Sequence, residues 1–144
     1  MRGTDRMIAT MMAAIIAMAA GIGAGAGAQT LTPAQRDALA GEIGERVPAG
    51  TADCVRRSAR LKQIVISDEV LVYRLGSKRF VSRTNGACSG LARGDKPVIS
   101  NERPRICAGD IIIVYDPVSD IRSGMCTMGA FAIYDMADKA KSQE

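Results

Sequence analysis

The sequence predicts a mainly β (α+β) domain. It should have about five antiparallel strands forming a small partly closed barrel or sandwich, one N-terminal helix and two disulfides. Three observations carry this expectation. Short apolar and β-branched runs between residues 61 and 134 are punctuated by Gly, Asn and Asp turns. The one stretch with helical spacing precedes them. All four cysteines lie past residue 50, an even number in a small chain.

The chain of 144 residues opens on a segment unlike the rest. Arg2 and Arg6 precede an apolar stretch, Met7–Ala20, and a Gly/Ala run then ends in Ala26-Gly27-Ala28. This pattern predicts an export signal cleaved after Ala28. Past it, 116 residues carry 17 Lys+Arg and 14 Asp+Glu, enough for one modest core and too few for two domains. The expected organisation is a signal peptide at 1–28, a helix and linker at 29–50, a disulfide-stapled β domain at 51–136 and a flexible tail at 137–144. The mature chain has no span able to cross a membrane, so the expected location is periplasmic or secreted.

In the helix, Thr32 is a good N-cap and Pro33 fits the first turn, where its missing N–H goes unneeded. Leu39, Ile43 and Val47 give a narrow apolar stripe, expected to cap one end of the core. Pro48-Ala49-Gly50 should end the helix. Leu61–Ile66 reads as a strand, followed by a polar turn at Ser67-Asp68-Glu69. Val70–Leu75 and Lys78–Arg83 flank Gly76-Ser77, a two-residue hairpin loop. Leu91–Pro104 is loop-like, with a weak strand around Val98–Ser100. The unbroken run Ile111–Tyr115, bounded by Asp110 and Asp116, suggests a central strand covered on both faces. Pro117–Gly124 should be a surface loop and Cys126–Tyr134 the last strand.

The cysteine separations of 34, 19 and 19 residues do not suit a tetrathiolate metal site, so Cys54, Cys88, Cys107 and Cys126 are expected in disulfides. If the run at 111–115 and the last strand form a hairpin, Cys107 and Cys126 fall at opposite ends of a strand, too far apart to bond. Of the two remaining pairings, Cys88–Cys107 with Cys54–Cys126 is favoured, because it closes the 89–106 loop.

Several motifs surround these cysteines: Cys88-Ser89-Gly90-Leu91, then Ile106-Cys107-Ala108-Gly109-Asp110-Ile111-Ile112, then Cys126-Thr127-Met128-Gly129-Ala130-Phe131. With a lone Cys before the first strand and an acidic turn between two apolar strands, Cys54–Phe131 resembles a bacterial family of small exported proteins known only as a domain of unknown function. Met128 stands where that pattern has Leu. The resemblance implies the exported, disulfide-bonded fold. It implies no activity, ligand or catalytic residue.

Chemistry is constrained most by what is missing. There is no His and no Trp, so imidazole catalysis and His metal ligation are excluded. Asp110, Asp116 and Asp120 are the carboxylates to weigh for acid–base or calcium chemistry. Asp110 and Asp116 lie at opposite ends of one strand, ~20 Å apart, and the loop lacks calcium-loop spacing, so turn roles are expected. Ser77-Lys78 sits in a hairpin turn with no cleft implied. No catalytic residue, metal or cofactor is therefore expected. The isoelectric point near 9.1 and the run Arg56-Arg57-Ser58-Ala59-Arg60-Leu61-Lys62 suggest nucleic acid, but interspersed acids and few aromatics argue for a solvated basic face.

One local rule is broken. The hairpin register places Arg74 directly opposite Arg79, with Arg83 further along the same face, and like charges in that position weaken a ladder unless an anion lies between them. Arg74, Arg79 and Arg83 are thus the candidate anion-binding residues; the plainer reading is that their side chains splay into water or pair with Asp or Glu from another strand. The expected function is an exported non-catalytic binding or interaction module, for an anionic ligand or a periplasmic or envelope protein. The alternatives are a small carboxylate-dependent hydrolase and a secreted enzyme inhibitor or immunity-type protein acting through a loop such as Ser89–Pro104.

Overall fold

The computed structural model describes residues 30–140; the expected export signal at 1–28 and its expected cleavage point lie outside the described residues. A helix, α1 (Pro33–Ile43), is followed by β1 (Val47–Ala52), β2 (Cys54–Arg56), β3 (Lys62–Val65), β4 (Val70–Leu75) and β5 (Lys78–Arg83). After a 3-10 turn come β6 (Lys96–Ile99), β7 (Arg105–Cys107), β8 (Ile111–Tyr115), β9 (Arg122–Thr127) and β10 (Phe131–Asp135), then a short helix, α2 (Ala137–Ala140). The class is mainly β, as expected, with ten strands in place of five. They form a five-stranded sheet in the order β1-β10-β5-β4-β3, a three-stranded sheet β6-β8-β9 and a two-stranded ribbon β2-β7. All ladders are antiparallel and no sheet closes into a barrel.

The β4–β5 hairpin has the register read from the sequence, from Leu75↔Lys78 to Val70↔Arg83. Its odd-numbered β4 positions face the main core: Leu71 and Tyr73 join Phe80, Phe131 and the inward residues Ile112, Val114 and Cys126 of the smaller sheet. Tyr73 meets Phe131 edge-on, with ring centroids 5.9 Å apart. The ribbon adds Val55 and Ile106 to the same core. Val70 and Val72 face the other way, and there α1 lies over the sheet through Leu39, with Leu31 just before the helix packing beside it. The helix therefore covers a sheet face, not an end of the core.

Thr32 caps α1 reciprocally with Gln35, a box that contributes about 1 kcal/mol. The helix stops at Gly44, and Val47-Pro48-Ala49-Gly50 is an edge strand, not a helix terminator or linker. Pro48 is tolerated there because one side of an edge strand is unpaired; the β1–β10 ladder slips between Pro48 and Gly50. Ile111–Tyr115 is central to its sheet but covered on one face only, with Ile111 45% and Met125 60% exposed. The expected last strand is two strands, broken at Met128-Gly129-Ala130. Gly129 is needed there, since a Cβ would collide with the Arg83 carbonyl, and its own carbonyl accepts from the Ser82 hydroxyl at 2.9 Å.

The disulfides are Cys54–Cys107 and Cys88–Cys126, which corrects the favoured pairing of Cys54 with Cys126 and Cys88 with Cys107. Cys54 and Cys107 are direct register partners in the ribbon, so Cys107 is taken. Cys126 points inward from β9 and meets the fully buried Cys88, whose N–H donates to the Asp68 carbonyl at 2.7 Å. Cys107 and Cys126 are unpaired with each other, as the strand geometry required. The two bridges interleave along the chain, spanning 53 and 38 residues, and each closes a loop worth about 4 kcal/mol in the chain-entropy model.

Candidate functional site

The Arg74↔Arg79 pair is where the hairpin register puts it, but its neutralising anion belongs to the chain itself. Glu42, on the last turn of α1, accepts from Arg74 Nε at 2.7 Å and also from Arg74 Nη2. Arg79 Nε lies 3.9 Å from the same carboxylate and donates to the Glu42 carbonyl at 3.2 Å. The hydrogen bond from Arg74, aided by the charges of Arg74, Arg79 and Arg46, holds the Glu42 carboxyl below the ordinary carboxylate range. Arg83 pairs separately with Glu69 at 3.1 Å. The three candidate anion-binding residues therefore do not form one open patch: two are engaged by Glu42 of the helix and the third has its own carboxylate.

The turn carboxylates are also engaged. Asp110 accepts from the Cys107 N–H at 2.8 Å and from the Asn101 and Arg103 side chains, tying the loop before β7 to the start of β8. Asp116 caps the β8–β9 loop by accepting from Val118 N–H at 2.9 Å and from Ser119 N–H at 2.8 Å, which draws its pKa down. Ser89–Pro104 is not a free loop. Gly90 adopts φ 101°, a conformation open to Gly, and a Cβ there would strike the Asp95 carboxylate. β6 then joins the smaller sheet.

A different site emerges where β3 and β6, edge strands of the two sheets, face each other. A cleft of about 310 Å³ opens there, walled by Leu61, Ile99 and Ile106, with Gln63, Arg57 and Tyr73 contributing polar atoms. Tyr73 is 1% exposed, and its hydroxyl has no hydrogen-bond partner among the described residues. Arg57 Nε is likewise buried and unpartnered, although Arg57 Nη2 donates to Asn101 Oδ1 at 3.2 Å. Burial pushes the Tyr73 phenol well above its ordinary pKa, with a smaller opposing pull from the Arg57 charge. The phenol is thus a protonated donor beside a guanidinium that makes no ion pair among the described residues. Buried donors without acceptors are rare in native proteins.

The basic run at 56–62 does not form one face, because the chain leaves β2 at Arg56 and turns before β3 begins at Lys62. Arg57 and Leu61 line the cleft, whereas Arg56 points outward from the ribbon and faces Arg105 across it. Sequence reasoning missed Tyr73 and Arg57 as a pair because Tyr73 reads as a core aromatic. It missed Arg105 because the ribbon is only three residues long. One signal was present: Cys54-Val55-Arg56 and Arg105-Ile106-Cys107 are mirror images, so antiparallel pairing sets like against like at every position.

No family model, curated protein or solved structure matches this chain.

Proposed function

We propose that this chain is an exported, non-catalytic binding module, resident in the periplasm or outside the cell, that holds a small organic anion in the cleft between β3 and β6. The observation that carries this reading is the pair of buried, unpartnered donors, Tyr73 Oη and Arg57 Nε, in a cleft with apolar walls. An acid with an apolar body satisfies both requirements at once: its oxyanion accepts from the phenol and the guanidinium, and its body lies against Leu61, Ile99 and Ile106. None of the residues lining the cleft is an Asp or Glu, which favours binding over the carboxylate-dependent hydrolase. The two disulfides suit an oxidising compartment.

Calorimetric titration with benzoate, hexanoate and longer aryl and alkyl carboxylates tests the reading. Arg57→Met should weaken binding about tenfold or more, and Tyr73→Phe about fivefold. Tyr73→Phe should leave thermal stability unchanged or raised, because it removes a buried hydroxyl that makes no bond in the free protein. Failure of every acid to bind, or unchanged affinity in both variants, overturns the proposal.

A further inference from the structure

We propose that the outer face of the β2–β7 ribbon is a second anion site, distinct from the cleft, which takes a dianionic tetrahedral oxyanion: a phosphate or sulfate group. Val55 and Ile106 are 2% and 5% exposed and point into the core, so strand alternation sends their neighbours outward. Cys54–Cys107 and Arg56↔Arg105 therefore occupy the outer face as consecutive same-face register pairs. Directly opposed residues hold their Cβ atoms about 5 Å apart, near enough for two guanidinium forks to close on one group. Beside them lies a concavity of about 370 Å³ lined by Cys54, Arg56, Pro104 and Arg105.

Neither Arg56 nor Arg105 has an ion pair or side-chain hydrogen bond among the described residues. The neighbouring acids do not supply one: among the described residues Asp53 makes no ion pair with either arginine, and Asp110 is committed to Arg103. Two unneutralised like charges should splay so short a ribbon. They are held together by the disulfide on one side and, on the other, by the Arg57 N–H donating to the Pro104 carbonyl at 2.9 Å. The repulsion is thus met by a covalent clamp instead of a carboxylate, which leaves both forks free and already juxtaposed. A carboxylate matches one fork with its two oxygens. A tetrahedral dianion matches two forks in both charge and acceptor number.

The test is titration of the full mature chain, followed by amide NMR, with inorganic phosphate, inorganic sulfate, phenyl phosphate and acetate at fixed ionic strength. Phosphate or sulfate should shift resonances of β2 and β7, acetate should bind much more weakly, and Arg56→Gln with Arg105→Gln should weaken the dianions about tenfold or more. Tyr73→Phe should leave this response intact, which separates it from the cleft. Tighter binding of phenyl phosphate than of inorganic phosphate assigns the site to an esterified group; the reverse assigns it to the free ion. Equal phosphate affinity in wild type and the double variant, or acetate binding as tightly as phosphate, overturns the proposal.

Discussion

Two arginine pairs face each other across antiparallel strands in this molecule, and they are solved in opposite ways. Arg74 and Arg79 sit on a long hairpin beneath α1, and Glu42 reaches down between them. Arg56 and Arg105 sit exposed on a three-residue ribbon, and a disulfide one same-face position away holds the strands together. The first pair is an internal joint: its charges are consumed in docking the helix. The second keeps its charges outward and unspent. Like-charge opposition in a strand register is therefore not in itself a ligand signal; what decides is whether another part of the chain supplies the counter-charge.

The comparison can be broken most severely at the clamp. Replacing Cys54 and Cys107 by Ala should lower the unfolding free energy by about 4 kcal/mol, from the loop of 53 residues that it reopens. It should also abolish the phosphate response while leaving the Arg74–Glu42 joint in place. A phosphate response that survives the loss of the bridge would show that the bridge is not what holds the pair. Urea unfolding and the NMR titration read the two effects.

Removing the internal counter-charge has a smaller effect. Glu42→Gln should cost about 1 kcal/mol, since the joint keeps an amide acceptor but loses its charge. Folding lowers the Glu42 pKa from its ordinary 4.5, chiefly through the Arg74 hydrogen bond. Its contribution is therefore complete above that value and is lost as falling pH protonates the folded carboxylate. Thermal melts between neutral and acid pH should show a shallower acid decline in Glu42→Gln than in wild type; parallel declines would remove Glu42 from the account.

The smallest effect has the opposite sign. Arg105→Gln should raise stability by about 0.5 kcal/mol in dilute chloride, by relieving the opposed charges, and should lose that advantage when phosphate is added. Destabilisation in chloride would mean that the ribbon pair is already neutralised.

Local chemistry was readable wherever it was decided locally. The Thr32–Pro33 helix start and the Gly76-Ser77 hairpin with its full register follow from adjacent residues. Pro48-Ala49-Gly50 misled because the same three residues that terminate a helix are also tolerated at a sheet edge, and only the pairing with β10 distinguishes the two. The Met128-Gly129-Ala130 corner carries no turn signature; it exists because Gly129 must pass close to the Arg83 carbonyl, on a strand far earlier in the chain. Glu42 as the partner of Arg74 and the unpartnered Tyr73 hydroxyl both depend on which layers meet. No local pattern encodes that.

The interleaving of the two bridges has a bearing on what proteolysis does to the protein. Cys54–Cys107 and Cys88–Cys126 overlap along the chain, so every peptide bond from residue 54 to residue 126 is enclosed by at least one of them. A single nick anywhere in that span leaves the two fragments covalently joined. The segment from 88 to 107, which includes the β6 wall of the cleft, is enclosed twice. Cleavage there yields a two-chain molecule that separates only on reduction, and a damaged copy keeps its ribbon and cleft wall tethered instead of shedding them.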